Sequence, residues 1–253
     1  FHHLDGARIR AHARGGLLGA DRMLGADPDL MAWLSFRSTS LTRYFRRIRE
    51  GIAAHLARPA ILGCGPRSAA FAPLCGYDFV ELAQFMGFLS PKHYFFHRGF
   101  DGFVGTVYRY VQTLQLWNPG LRVAEAMEVV QALFGIILPG VGDDILDFET
   151  ALSPEFYQQV VTQETSRALA AVDDPERIVP WLDAGRFPHD GDPMSSRDLK
   201  LLLDAAEDAG LRRFLYHHQG NLSEGEWVVI SGKGGTRWDP LGGGWKPTDE
   251  LVL

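Results

Sequence analysis

The sequence predicts an α/β protein with a parallel sheet, of the (β/α) TIM-type barrel class. Short apolar stretches alternate with amphipathic helical patterns, which is typical of parallel strands covered by helices. Polar or aromatic residues also follow at least four of the five apolar stretches, at the point where the stretch ends. We count five strand–helix units, whereas a complete barrel has eight, so we expect an incomplete barrel that lacks N-terminal units. The chain contains no GxGxxG and no GxxxxGK[ST] motif, and neither nucleotide-binding version of this architecture is therefore indicated.

The first half of the chain supplies three of the predicted strands. They lie in LDGARIR, AILGCGP and FLSPKHYF. Between them, residues 40–57 place apolar side chains three and four positions apart, as on one face of a helix. A second helix is predicted from Asp78, because Glu81 three residues later completes a capping pattern. Residues 103–117 repeat the helical spacing.

The second half is predicted to be mostly helical before two further strands. Residues 123–172 carry helical patterns, and Ser153-Pro154-Glu155 has proline at a first helical position. The strands IVPWLDAG and RFLYHHQ follow, separated by a helix over residues 196–209. We predict one barrel domain over residues 1–240, with a helical insertion at about 118–175. Residues 241–253 are predicted to be a linker or the start of a further segment.

Composition and charge exclude several classes of function. The 253 residues are 46% hydrophobic with a formal net charge of −6, and acidic and basic residues are mixed along the chain. A general nucleic-acid or anionic-membrane binder is therefore not expected. No apolar run approaches the roughly 20 residues that span a bilayer. The two cysteines form no disulfide framework. We expect a soluble protein, cytoplasmic or secreted, and interpret the sequence as a piece of a longer one.

The candidate site is formed by residues that leave the predicted strands. In a parallel α/β barrel, catalytic groups lie at the carboxyl ends of the strands. The candidates for catalysis are Asp183, Asp5 and Asp101. The candidates for substrate binding are Arg8, Arg10, Lys92, His93, His97, Arg98, Trp181, Arg186, His189, Tyr216 and His217.

Two carboxylates across an aromatic-lined mouth suit the cleavage of a glycosidic bond. One carboxyl protonates the leaving oxygen while the other attacks the anomeric carbon or activates water. Asp183 and Asp5 form the preferred pair, with Asp101 as substitute. We expect a carbohydrate substrate and no cofactor, nucleic acid or membrane partner.

LDGARIRAH resembles the strand-end pattern of the hypothetical glycosyl hydrolase-like TIM-barrel families. WLSFRSTSLTRYFRRIREGI is similar to their Trp-x-x-Arg segment, and residues 78–94 resemble the unit that follows. IVPWLDAGRF and RFLYHHQGNL occupy the places of the last two strands. The resemblance covers most of residues 1–231 as the C-terminal portion of a barrel, and it implies a carbohydrate-active hydrolase.

The chain departs from that pattern by having no Glu at any predicted strand exit, although most glycosidases of this fold use one. Two alternatives therefore stay open. One is a metal-dependent amidohydrolase-type barrel enzyme, in which histidines such as His93 and His189 converge. The other is a barrel that binds carbohydrate without cleaving it.

Overall fold

The structure is a computed structural model. It describes residues 12, 18–19, 21–22, 27–95, 97–140, 144, 153–184, 194–217, 222–236, 238–239 and 241–242, and of Asp183 the backbone alone. The predicted first strand, LDGARIR, lies outside the described residues. So do most of residues 241–253. No helix in the described part of the chain is both long and apolar enough to cross a membrane.

Five short parallel strands form the centre of the described chain. Strand β1 (Gly63–Cys64) pairs with β2 (Phe88–Leu89). Strand β3 (Lys92–His93) follows β2 closely and pairs with β4 (Trp181–Asp183), which pairs with β5 (Leu215–His217). A parallel bridge between Leu89 and Ile178 continues the pairing between the two small sheets. The strands therefore lie in the order in which they occur along the chain.

The prediction of a TIM-type barrel is wrong for the structure as described. Strand β1 forms one edge and β5 the other, and no strand within the described residues joins these two edges. A closed barrel requires every strand to have two neighbours, and the strands here are only two or three residues long. Helices take up more than half of the residues that the structure describes. The architecture is mixed α/β with two small parallel sheets.

Helices surround these sheets. Their bounds are α1 Pro28–Ala53, α2 Ala72–Cys75, α3 Phe79–Ala83, α4 Phe103–Trp117, α5 Val123–Phe134, α6 Pro154–Phe156, α7 Thr162–Leu169, α8 Ser196–Asp208 and α9 Glu224–Lys233. A π-helical stretch, Tyr157–Val161, joins α6 to α7 without a break.

The predicted helix start at Asp78 is confirmed, and the helix predicted over residues 196–209 is found at Ser196–Asp208. The carboxylate of Asp78 accepts a hydrogen bond from the backbone N–H of Glu81, and Ser195 forms a capping box with Asp198. Such caps satisfy N–H groups that the first helical turn leaves without partners. Helix α2 ends at Gly76 with a φ of 85°, where an added Cβ would lie 2.9 Å from the Arg37 carbonyl carbon. Glycine at this position therefore allows α1 to approach closely.

The core lies between the sheets and helices α4 to α8. Phe103, at the start of α4, is fully buried and packs against the rings of Phe71, Phe95 and Phe156 at centroid separations of 5.3 to 6.4 Å. Leu182 of β4 is also fully buried. Because successive strand residues face opposite sides, burial of Leu182 fixes one side of β4 against the core.

Candidate functional site

A carboxylate held by two cations lies just beyond the ends of β1 and β2, next to the first residue of β3. Asp101 Oδ1 accepts a hydrogen bond from Arg67 Nη1 at 2.5 Å, and Asp101 Oδ2 accepts one from Lys92 Nζ. Arg67 Nη2 donates to Thr106 Oγ1 at 2.8 Å. We call Arg67, Lys92, Asp101 and Thr106 the Asp101 cluster.

Each member of the Asp101 cluster is positioned by a different element. Arg67 follows β1, Lys92 is the first residue of β3, Asp101 precedes α4, and Thr106 lies in the first turns of α4. The backbone carbonyl of Lys92 accepts a hydrogen bond from Ser68 Oγ at 2.8 Å, which ties the segment after β1 to β3. Thr106 Oγ1 donates to the carbonyl of Gly102 at 2.6 Å. The cluster is thus built at one end of the parallel strands.

The charges around Asp101 keep its carboxyl ionised. Partial burial disfavours the charged form, but the hydrogen bonds and positive charges of Lys92 and Arg67 outweigh it and lower the pKa of Asp101 below its ordinary value. The Arg67 side chain is 8% exposed, that of Lys92 20% and that of Asp101 42%. The carboxylate is therefore an accessible anion at neutral pH and is unsuited to donating a proton.

Aromatic rings adjoin the Asp101 cluster on the next two strands. His217 of β5 packs against Trp181 of β4 at 5.5 Å between ring centroids, and it stacks on Tyr94 at 6.2 Å. The ammonium of Lys92 lies 5.7 Å from the centroid of the Tyr94 ring. We call Tyr94, Trp181 and His217 the aromatic wall. Lys92 links this wall to Asp101.

His97 lies near the same groups and is neutral at pH 7. Burial lowers its pKa, Asp101 opposes the shift, and the charges of Arg109, Lys92 and Arg67 lower the pKa further. The His97 ring meets the Tyr94 ring edge to face at 6.4 Å. The backbone carbonyl of the exposed Arg98 accepts a hydrogen bond from Arg109 Nη1 at 2.8 Å.

Two predicted binding residues lie apart from this cluster. His93 is 1% exposed, its Nε2 is 3.1 Å from Thr165 Oγ1, and its ring packs edge-on against Phe95. Burial lowers the pKa of His93 to about 3, so the imidazole is neutral in the core. Tyr216 is the strand partner of Leu182, so the two side chains lie on the same side of the sheet. The Tyr216 ring packs near Phe214, and burial raises the pKa of Tyr216. These positions face the packed side of the sheet.

Several predicted site residues fall outside the described residues. These are Asp5, Arg8, Arg10, Arg186 and His189. The backbone of Asp183 pairs with His217 in the β4–β5 ladder, and its side chain is outside the described part. The structure therefore brings together Lys92, Asp101, His97, Trp181 and His217 from the predicted set, and it adds Arg67 and Thr106. Arg67 could have been chosen from the sequence because it leaves the predicted strand AILGCGP.

Glu164 was not predicted, and it is the buried carboxyl next to the segment that carries Arg67. It is 1% exposed, and its Oε2 accepts a hydrogen bond from the backbone N–H of Ala70 at 3.1 Å. Arg167 Nη1 lies 3.5 Å from Oε1. Burial raises the pKa of Glu164 to about 7, against the opposing effects of Ala70, Arg167 and Ala69.

We expect Glu164→Gln to change how stability depends on pH. Between the ordinary pKa of 4.5 and about 7, the native carboxyl keeps a proton that the unfolded chain has released. Wild-type stability is therefore lost as pH rises through this window. Glutamine resembles the protonated acid, so its gain over wild type should grow from near zero at pH about 4.5 to on the order of 3 kcal/mol above pH about 8. Urea unfolding of both proteins across this range measures the difference, and a constant difference would contradict the buried, protonated Glu164.

A separate concavity of about 610 Å³ lies between α1 and the segment around α2. Its lining is mostly apolar, including Leu34, Leu74, Tyr77 and Phe134, with Arg167 among the lining residues. Its lining includes none of the predicted site residues whose side chains the structure describes, and no member of the Asp101 cluster.

The described residues contain no group of three or more His, Cys, Asp or Glu side chains arranged to hold a metal ion. Cys64 and Cys75 are both free thiols. Comparison of the chain with protein-family models, with curated proteins and with solved structures gave no match. Function is therefore argued from the Asp101 cluster and the aromatic wall.

Proposed function

We propose that the Asp101 cluster and the aromatic wall bind a carbohydrate and that the protein cleaves its glycosidic bond. The observation that carries the proposal is an ionised, accessible carboxylate held by Lys92 and Arg67 beside stacked aromatic rings at one end of the parallel strands. Carboxylates and amines hydrogen-bond to sugar hydroxyls, and aromatic faces cover the apolar faces of sugar rings.

Asp101 takes the role that needs a negative charge. In glycoside cleavage one carboxylate attacks the anomeric carbon, or removes a proton from the water that attacks it. The lowered pKa of Asp101 favours this role. Asp183, which the sequence analysis placed in the catalytic pair, is the candidate proton donor to the leaving oxygen. Its backbone lies in β4, two residues after Trp181.

Lys92 and Arg67 have two functions in this proposal. They hold Asp101 in one orientation, since the two carboxylate oxygens are bound separately. Lys92 also lies between Asp101 and the aromatic wall, where its remaining N–H groups can donate to a sugar hydroxyl. Positioning of a reacting carboxylate by fixed donors lowers the cost of reaching the transition state.

A panel of 4-nitrophenyl glycosides tests this proposal. We expect the purified protein to release nitrophenolate from at least one sugar of the panel, and we expect the rate to be unchanged by a metal chelator. Binding of sugars by calorimetry without any release would instead support a carbohydrate-binding protein that is not an enzyme. Loss of activity with chelator and recovery with Zn²⁺ would support the metal-dependent hydrolase. If no sugar of the panel is bound or cleaved, the proposal is wrong.

A further inference from the structure

Building on the proposed function, we infer that the carbohydrate bound at the Asp101 cluster is an acidic one, with a carboxylate or phosphate group that Lys92 binds and that the nearby charge of Arg67 attracts. The inference concerns the chemical class of the ligand. It comes from the balance of charges and hydrogen-bond donors in the cluster.

The Asp101 cluster is positively charged within an acidic protein. The chain as a whole carries −6, yet Lys92 and Arg67 together carry two positive charges against the single negative charge of Asp101. Arg109 adds a further positive charge that acts on His97. His97 itself is neutral at pH 7, because its pKa is lowered. Among the described residues, the carboxylate of Asp101 thus pairs with two cations, and a neutral sugar would leave one positive charge unbalanced.

The cluster also has more donors than its own acceptors use. The ammonium of Lys92 has three N–H groups, and the described residues give it one acceptor, Asp101 Oδ2. Both terminal nitrogens of Arg67 are bonded, but its buried Nε has no acceptor within the described part of the chain. Asp101 is 42% exposed, so a ligand that reaches this carboxylate also reaches the ammonium bound to it. An anionic oxygen would fill the remaining positions on Lys92 with charge-assisted bonds.

The neighbouring aromatic wall adds no negative charge. Tyr94 and Trp181 are neutral, and Lys92 lies over the Tyr94 ring. Tyr94 is 2% exposed, so a sugar ring would lie against the partly exposed Trp181 and His217. Because Lys92 is the strand neighbour of Trp181, a substituent of that ring would come close to Lys92. An acidic sugar carries a carboxylate at that substituent and its neutral counterpart does not. Lys92 would therefore bind the acidic sugar more tightly.

Calorimetric titration with matched sugars tests the inference. The pairs are D-glucuronate with D-glucose, D-galacturonate with D-galactose, and glucose 6-phosphate with glucose. We expect the acidic member of at least one pair to bind about tenfold tighter than its neutral partner, since a hydrogen bond between two charged groups is stronger than one to a neutral hydroxyl. The preference should shrink between about 0.05 M and about 0.5 M salt, because salt screens partly exposed charges.

Two variants of Lys92 and one control test whether Lys92 causes the preference for the acidic sugar. Lys92→Met should weaken binding of both sugars, because Lys92 also holds Asp101 and donates to a sugar hydroxyl. It should weaken binding of the acidic sugar about tenfold more and so remove the preference, whereas Lys92→Arg should keep most of the preference. Lys200→Met is the control, because Lys200 is an exposed lysine that pairs with Asp204 on α8, and it should bind like wild type.

The outcomes separate this inference from the proposed function. Equal or tighter binding of the neutral sugars, or equal loss for both members in Lys92→Met, would overturn the inference and leave carbohydrate binding in place. Absence of binding for every sugar, acidic or neutral, would overturn the proposed function and the inference together.

Discussion

The Asp101→Asn variant is expected to lose at least about a thousandfold in kcat on any glycoside that the wild type cleaves, in the range seen when a proton-transferring or attacking group is removed. Asparagine keeps the size of the side chain but cannot attack an anomeric carbon or take a proton from water. Since Lys92 and Arg67 lower the pKa of Asp101 below 3.8, the wild-type activity should not fall on the acid side until pH drops below about 4.

Asp204 offers a matched control for this substitution. Like Asp101, it is partly exposed, is held by two cations and has a lowered pKa. Its partners are Lys200 and Lys233, with Lys233 Nζ 2.6 Å from Oδ1. It lies on α8, away from the aromatic wall. We expect Asp204→Asn to retain wild-type kcat. That result would show that the loss of activity in Asp101→Asn does not come merely from removing a carboxylate paired with two cations.

Asp183→Asn completes the test of roles. In the proposed division Asp183 donates the proton, so this variant should also lose activity, most strongly on substrates with poor leaving groups. Full activity in Asp183→Asn together with none in Asp101→Asn would show that the proton comes from another group. Full activity in Asp101→Asn would remove Asp101 from the chemistry altogether.

The Phe103→Ala variant is expected to lose about 3–5 kcal/mol of unfolding free energy. Phe103 is fully buried and its ring contacts three other buried rings, those of Phe71, Phe95 and Phe156. Truncation would remove these contacts and leave a cavity that the surrounding helices cannot fill completely. Because Phe103 begins the helix that follows Asp101, the loss also loosens the Asp101 cluster.

Phe36→Ala is the control for the core prediction. Phe36 lies on α1 and is 68% exposed, so its removal should change stability by less than about 0.5 kcal/mol. Urea unfolding followed by circular dichroism measures both variants. A loss below about 1 kcal/mol for Phe103→Ala would contradict the central position of this ring in the core.

Local sequence patterns predicted the strand segments that are described and the helix starts at Asp78 and Ser153, because those patterns depend on neighbouring residues. The helix predicted over residues 40–57 instead begins at Pro28, and α2 was not predicted. Asp78 and Ser195 start helices through bonds to amides three residues away. The apolar stretches around Cys64, Leu89 and Leu182 form parallel strands in chain order. Barrel closure depends on the two edges meeting, which no local pattern encodes, and that prediction was wrong.

The candidate site was only partly predictable for the same reason. Lys92 and Asp101 are close in sequence, and a cluster at the strand ends was expected to contain both. His93 lies one position from Lys92, but strand alternation turns it to the packed side, where it meets Thr165. No sequence pattern indicated Glu164, because its burial against the backbone of Ala70 arises from packing between segments that are distant in the sequence.

A crystal structure of the protein with bound D-glucuronate would test the proposed site most directly. We predict a sugar ring against Trp181, with a hydroxyl group bonded to Asp101 and the carboxylate within hydrogen-bond distance of Lys92 Nζ. Sugar density at another surface, with Asp101 still enclosed by Lys92 and Arg67 and untouched by ligand, would contradict the assignment of this cluster as the binding site.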